Sequence, residues 1–243
     1  MEKNQRQMSG KVLLLDVDGV VLHQPRLLNY VSRKIVSYVR EVSPYHLSFE
    51  QAKDLNEVLY KSFGHTQRGL QKIYGQQCPT LPVFQNKIYD QSTIHHLWSY
   101  RNDPTIQQRG YAVLELLDEA AKKGVPVYLF SNSPIQWCQC IADMLYLDIP
   151  SDHILCTSHP VFQDNLLKPD VKLYENVATF LQQSHRDKGI TQYVFVDDSW
   201  INLAPVIGGS AWYPICLAED GPFITSKRVH TVCTLRDVVR ELD

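Results

Sequence analysis

The stretch Leu13-Leu14-Leu15-Asp16-Val17-Asp18-Gly19-Val20-Val21 decides how this chain is read. An apolar run ends on two carboxylates one residue apart, and a glycine follows at once. Side chains of a strand alternate between faces, so acids at i and i+2 point the same way. The apolar run suits a strand covered on both faces, as in a parallel sheet. Gly19 lets the chain turn where a side chain would obstruct. Two same-facing carboxylates just past a buried strand stand where open α/β sheets keep their ligands. One suits a nucleophile, the other a general acid/base, and together they invite a divalent cation. On these residues alone, a strand ending in a solvated acidic turn is the competing reading.

Working outward, the 243 residues are 44% hydrophobic and 21% charged, an ordinary globular composition. A net charge of -2 speaks against a nucleic-acid polymer or a membrane surface as partner. No apolar run approaches the roughly 18 residues of a membrane span. The cysteines at 78, 138, 140, 156, 216 and 233 lack C-x-x-C spacing and read as free thiols of a reducing compartment. The polar start MEKNQRQMSGK meets the strand directly, so no signal peptide is expected and a cytoplasmic location follows.

After Val21 the pattern turns helical. Leu27, Leu28, Val31, Ile35, Val39 and Val42 fall near helical spacing, and Ser48 with Gln51 reads as a capping box for a helix to about Phe63. Residues 64–102 are mixed, with weak periodicity; His95-His96 within them read as structural or solvated. Asp103 as N-cap, Pro104 at the first helical position and Lys122-Lys123-Gly124 at the end bound a long helix. Strands at 125–130, 154–157, 193–196 and 211–217 then alternate with helices at 135–147, 172–184 and 234–242. Pro214 assigns the strand at 211–217 to a sheet edge. The alternation predicts an α/β fold, a doubly wound parallel sheet. About 80 residues lie between Leu22 and Asp103, against the dozen or so that a crossover needs. A mostly helical insertion at the ligand end of the sheet is expected: residues 1–24 and 103–243 as the core, 25–102 as the insertion.

Polar groups close the strand runs: Asp16 and Asp18, then Ser131 and Asn132, then Asp197 and Asp198, with Lys168 from the loop Leu166–Asp170. In a parallel sheet these ends share one edge. Carboxylates suit Mg²⁺, and a hydroxyl, an amide and an ammonium suit phosphoryl oxygens. Neither G-x-x-x-x-G-K-[ST] nor G-x-G-x-x-G occurs, so no glycine-rich phosphate loop competes.

Asp16-Val17-Asp18-Gly19-Val20-Val21 resembles the first motif of the haloacid dehalogenase superfamily. Leu129-Phe130-Ser131-Asn132 resembles the second, Lys168-Pro169 the third, and Phe195-Val196-Asp197-Asp198-Ser199-Trp200-Ile201-Asn202 the fourth. The resemblance implies a Rossmann-like core with a helical cap of type C1. It also implies roles: Asp16 as the nucleophile that becomes phosphorylated, Asp18 as acid/base with its backbone carbonyl on Mg²⁺, and Lys168 as charge balance. Ser131 and the Asn132 amide would hold phosphoryl oxygens, Asp198 and Asp197 would help hold the metal, and Asn202 would support them. Trp200 is expected to pack. The second acid, Asp18, points to a phosphatase rather than a dehalogenase. Phe63-Gly64-His65-Thr66-Gln67-Arg68-Gly69-Leu70 resembles a cap stretch of pyrimidine 5′-nucleotidase-like members, which implies Arg68 on a substrate anion and Phe63 on a base. A small-molecule phosphate monoester, with a nucleoside 5′-monophosphate leading, is the implied substrate. A sugar-phosphate or phosphoglycolate phosphatase, or a phosphomutase, would use the same core. A non-catalytic module that binds through the phosphate pocket is the rival of another class, and the oligomeric state is open.

Overall fold

A computed structural model describes residues 10–219 and 229–242; the polar start, residues 1–9, lies outside them. Strand β1 (Lys11–Leu15) is the centre of the sheet, and Val12, Leu13, Leu14 and Leu15 are fully buried. It pairs in parallel with β2 (Val127–Phe130) on one side and with β4 (Gln192–Asp197) on the other. Beyond β2 lies the two-residue β3 (Ile154–Leu155), and beyond β4 lie β5 (Trp212–Leu217) and β6 (His230–Val232). All pairs are parallel and the order is β3-β2-β1-β4-β5-β6. This is a doubly wound α/β sheet whose order reverses at β1, so the crevice beyond the carboxyl end of β1 is the ligand position.

Pro214 does not mark an edge. Alternate residues of a parallel strand send their N–H and C=O to opposite neighbours. The Ala211 carbonyl accepts from Tyr193 of β4, which puts residue 214 on the β6 side. Pairing with β6 begins only at Ile215, so the missing N–H of Pro214 leaves no ladder bond unmade. The edge belongs instead to β6, which the sequence reading omits: three residues with His230 exposed carry too little pattern. The strand expected over 154–157 shortens to β3.

Helix α1 (Pro25–Val42) follows β1, and α2 (Phe49–Phe63) starts with the expected capping box of Ser48 and Gln51. The mixed stretch resolves into α3 (Thr66–Tyr74), α4 (Leu81–Ile88) and α5 (Gln91–Ser99). Each has only about two turns, too few for periodicity to register. His96 packs against Tyr30 and Tyr100 at centroid distances of 4.1 and 5.3 Å. Helix α6 (Pro104–Lys122) has the expected cap, Asp103 accepting from Thr105 N–H at 2.9 Å. Helix α7 (Ile135–Met144) ends earlier than expected, and α8 (Val171–Ser184) and α10 (Leu235–Arg240) follow the spacing closely. A single short turn, α9 (Trp200–Leu203), follows β4, with Trp200 packed against the core. All six cysteines are free. Among the described residues, no helix is long and apolar enough to cross a membrane.

Helices α2, α3 and α4 rest on the carboxyl end of the sheet through named contacts. Tyr60 donates to Ser199 at 3.0 Å, and Arg68 pairs with Asp170 at 2.5 Å. Gln85 donates to the Asn132 carbonyl at 3.1 Å and to Thr157 at 2.9 Å. Gly64 ends α2 at φ 72°, and a Cβ there would overlap the ring of Pro169, beside Lys168. Left-handed backbone and close approach both demand glycine. Gly64→Ala is therefore expected to lower stability by roughly 1–3 kcal/mol from the backbone alone, read from urea or thermal unfolding. An unchanged midpoint would mean that this corner does not lock the helices onto the Lys168 loop.

Candidate active site

The strand ends converge around a buried ammonium. Lys168 is 1% exposed. Its Nζ donates to Asp16 Oδ1 at 2.7 Å, Asp197 Oδ2 at 2.8 Å and the Phe130 carbonyl at 2.9 Å. Those are the ends of β1, β4 and β2, so one side chain ties three strands and uses all three of its protons. The Phe130 and Phe195 rings lie 5.2 and 5.5 Å from the nitrogen. Burial alone would lower the Lys168 pKa, but the charges of Asp16 and Asp197 outweigh it and hold the group as ammonium.

Asn132 fixes the backbone that carries this lysine. Its side chain accepts from Lys168 N–H at 2.8 Å and donates to the Lys168 carbonyl at 3.0 Å. Ser131 is 2% exposed and accepts from Ser133 N–H at 3.1 Å. At the end of β4, Asp197 is fully buried and accepts from Lys168, from Ser199 N–H at 2.8 Å and from Asn202 Nδ2 through both oxygens. Asn202 thus meets the fourth-motif acid directly. Asp198, next to it, keeps part of its residue surface open, but its carboxyl is enclosed by the cavity that it lines. Gly19 runs beside it at φ 98°, where a Cβ would overlap the Asp198 carboxylate.

Asp18 is held apart from this cluster. Ser133 Oγ donates to its Oδ2 at 2.7 Å and Trp137 Nε1 to its Oδ1 at 2.8 Å. Burial pushes its carboxyl up, and those two bonds pull it part of the way back. Asp16 stands well above the ordinary carboxylate range, because burial and the Asp197 charge outweigh Lys168. Burial and Asp197 likewise raise Asp198 to about 7. Oxygens of Asp16, Asp197 and Asp198 lie within 4.8 Å of one another. Three carboxylates face one ammonium there, and Asp197 is already surrounded by protein donors. Two hard-oxygen groups, Asp16 and Asp198, are left short of positive charge. That donor set and that deficit fit a divalent cation with room for water and phosphate.

The cavity over these groups has a volume of about 200 Å³. Asp16, Asp18, Ser131, Asn132, Lys168 and Asp198 line it from the sheet, and Tyr60, His65, Thr66, Phe84 and Tyr89 from the helices. The His65 imidazole is lowered to about 4 by burial, with the Arg68 charge adding, so it is neutral. A larger space of about 500 Å³ lies beside α6 and α10, near His23, Arg109 and Glu219, but away from the strand-end acids. Chemistry, rather than size, selects the smaller one.

Two expected substrate contacts are not brought in. Arg68 is turned to Asp170, and Phe63 packs against the position of Gly69; neither lines the cavity. The sequence reading also missed Ser133, Trp137, Tyr89 and Tyr60. Only Trp137 left a signal: a long side chain in the first turn of a helix points back toward the N-terminus, here the strand ends.

A family model for haloacid dehalogenase-like hydrolases matches residues 11–205. Among solved structures, the chain resembles a HAD phosphatase from Thermococcus onnurineus, at 13% identity and a TM-score of 0.59 over 96% of this chain and 97% of that one. A family IA, variant 3 HAD hydrolase from Entamoeba histolytica HM-1:IMSS aligns at 14% identity and 0.59, over 96% and 98%. A predicted phosphoglycolate phosphatase from Haemophilus somnus 129PT aligns at 16% and 0.55, over 97% and 100%. At these identities the likeness concerns the fold. No curated protein matches the sequence.

The raised Asp198 gives a pH dependence of known sign. An unfolded aspartate titrates near 4, so the folded chain binds the extra proton between about pH 4 and 7 and loses stability as pH rises through that window. Without divalent cations, Asp198→Asn should melt higher than the parent near pH 8, with the gap closing toward about pH 4. Adding Mg²⁺ near pH 8 should raise the parent more than the variant. Parallel melting profiles at every pH would mean that this carboxylate carries no such penalty.

Proposed function

This chain belongs to the haloacid dehalogenase-like hydrolases, and on that premise we propose that it is a Mg²⁺-dependent phosphatase acting on a small phosphate monoester through an aspartyl-phosphate on Asp16. The observation that carries the proposal is the division between the two acids of the first motif. Asp16 sits in the charge cluster with Lys168, whereas Asp18 is held by neutral donors beside the same cavity. A nucleophile and a proton carrier need those different surroundings.

In this reading Asp16 attacks phosphorus through Oδ2, since Oδ1 is engaged by Lys168. The Ser131 hydroxyl and the Asn132 N–H donate to phosphoryl oxygens. Lys168 balances the charge that Asp16 and the phosphoryl group bring together. Asp18 gives its proton to the leaving oxygen. It then takes one from the water that attacks the phosphoenzyme, releasing phosphate and restoring Asp16. Asp16 and Asp198, with the Asp18 backbone carbonyl, would hold Mg²⁺, whose charge draws the phosphate oxygens to the anionic nucleophile. Asp197 serves this set by holding Lys168 rather than the cation.

We take residues 25–102 as the cap over a core of 1–24 and 103–243. A cavity of about 200 Å³ is below the usual range for drug-sized ligands, which supports the smaller esters, such as phosphoglycolate and short sugar phosphates. A nucleoside 5′-monophosphate keeps only the resemblance of Phe63–Leu70, since Arg68 is paired with Asp170. Phosphate release from a panel of sugar, glycolate and nucleoside monophosphates would decide among them.

Asp16→Asn should abolish turnover and covalent labelling, because an amide oxygen is a poor nucleophile. Asp18→Asn should slow turnover by roughly 10²–10⁴-fold. With a nitrophenyl phosphate, whose leaving group scarcely needs a proton, it should accumulate phosphate on Asp16, located by peptide mass spectrometry. Full activity of Asp16→Asn, or a label elsewhere, would sink the mechanism. A parent chain that turns over no ester with Mg²⁺ present would favour the non-catalytic binding module.

A further inference from the structure

Both oxygens of the Asp18 carboxylate are tied to neutral donors from outside the four motifs' expected residues. Trp137 is fully buried on the first turn of α7, and its indole N–H meets Oδ1 at 2.8 Å. Ser133 is 4% exposed, and its hydroxyl meets Oδ2 at 2.7 Å. Tyr89, from the turn that ends α4, places its hydroxyl 3.1 Å from that of Ser133, and its ring packs on Trp137 at a centroid distance of 5.1 Å. A carboxylate on a two-bond side chain rotates freely unless both oxygens are held, and here both are.

We propose that Trp137 and Ser133 are positioning residues for proton transfer by Asp18, and that Tyr89 makes this positioning depend on the seating of the cap. The proposal rests on the reading of Asp18 as general acid/base. An indole N–H only donates, so Oδ1 is kept as an acceptor and the transferred proton belongs to Oδ2. A hydroxyl both donates and accepts, so Ser133 can follow either state of Oδ2, with Tyr89 as the second member of the pair. The acid is thereby aimed before substrate arrives, which a proton transfer at hydrogen-bond distance requires. Tyr89 sits on the insertion while Ser133 and Trp137 sit on the sheet side. Displacing the helices removes the outer hydroxyl and the ring that backs the indole.

The test uses the full chain with Mg²⁺ and phosphate monoesters whose leaving alcohols run from nitrophenols to simple alkanols. For Trp137→Phe and Ser133→Ala, kcat/KM should fall about 10–100-fold on the alkanol esters and less than about 3-fold on the nitrophenyl esters, as a fraction of the whole acid/base effect. Tyr89→Phe, which keeps the ring, should show the same tilt at about 3–10-fold. The ratio between two esters is taken within one preparation, so a variant that folds poorly does not distort it. A uniform loss across the series, or none, overturns the proposal while leaving the phosphatase reading intact. A parent chain inactive on every ester overturns that reading and the proposal with it.

Discussion

An ammonium excluded from water is stable only beside opposite charge and enough acceptors, and Lys168 has both from three strands at once. That requirement places β1, β2 and β4 side by side with their carboxyl ends level. It also explains the surrounding clamps. Asn132 grips the Lys168 backbone from both sides, Arg68 pairs with Asp170 two residues on, and Gly64 makes room for Pro169. Removing either carboxylate would leave a buried charge short of a partner, so fold and site share the same three bonds.

The helical insertion adds few charges to this site. Its contributions to the cavity are aliphatic, phenol, hydroxyl, aromatic and neutral imidazole groups; none of its cations lines the cavity, and Arg68 and Lys34 are paired with Asp170 and Asp90. Under the proposed reaction, attraction for an anionic ester would arise at the sheet edge. In the proposed reaction these neutral groups would meet the leaving alcohol by shape and hydrogen bonding, while Asp18 supplies the proton that its oxygen needs.

What was legible in the sequence follows from which forces act locally. Buried parallel strands read as continuous apolar runs, so β1, β2 and β4 and the polar residues ending them stood out. Caps are local too, and those of α2 and α6 matched the spacing. The misses have the opposite character. Whether Pro214 lies at an edge depends on where β6 joins, and β6 itself is three residues with no pattern. Trp137 and Asp18 are 119 positions apart and Arg68 and Asp170 are 102 apart; no periodicity encodes such partners. Phe63 and Arg68 carried a resemblance, but a resemblance fixes residue types and not where a guanidinium turns.

The pair Asp197-Asp198 shows how one rule of geometry separates two chemically identical neighbours. Successive side chains at a strand end point to opposite sides, so one carboxylate turns inward and the other toward the crevice. Asp197 turns inward, excludes water and is saturated by Lys168, Ser199 and Asn202. Asp198 turns outward, lines the cavity and has its pKa raised to about 7 by its surroundings and by Asp197. The inner acid therefore fixes the lysine, and the outer one faces the cavity with its raised pKa only partly offset by the Lys168 charge. A sequence that shows two adjacent aspartates cannot say which is which. The direction of the strand does, and it leaves the outer carboxylate as the group with most to gain from a bound cation.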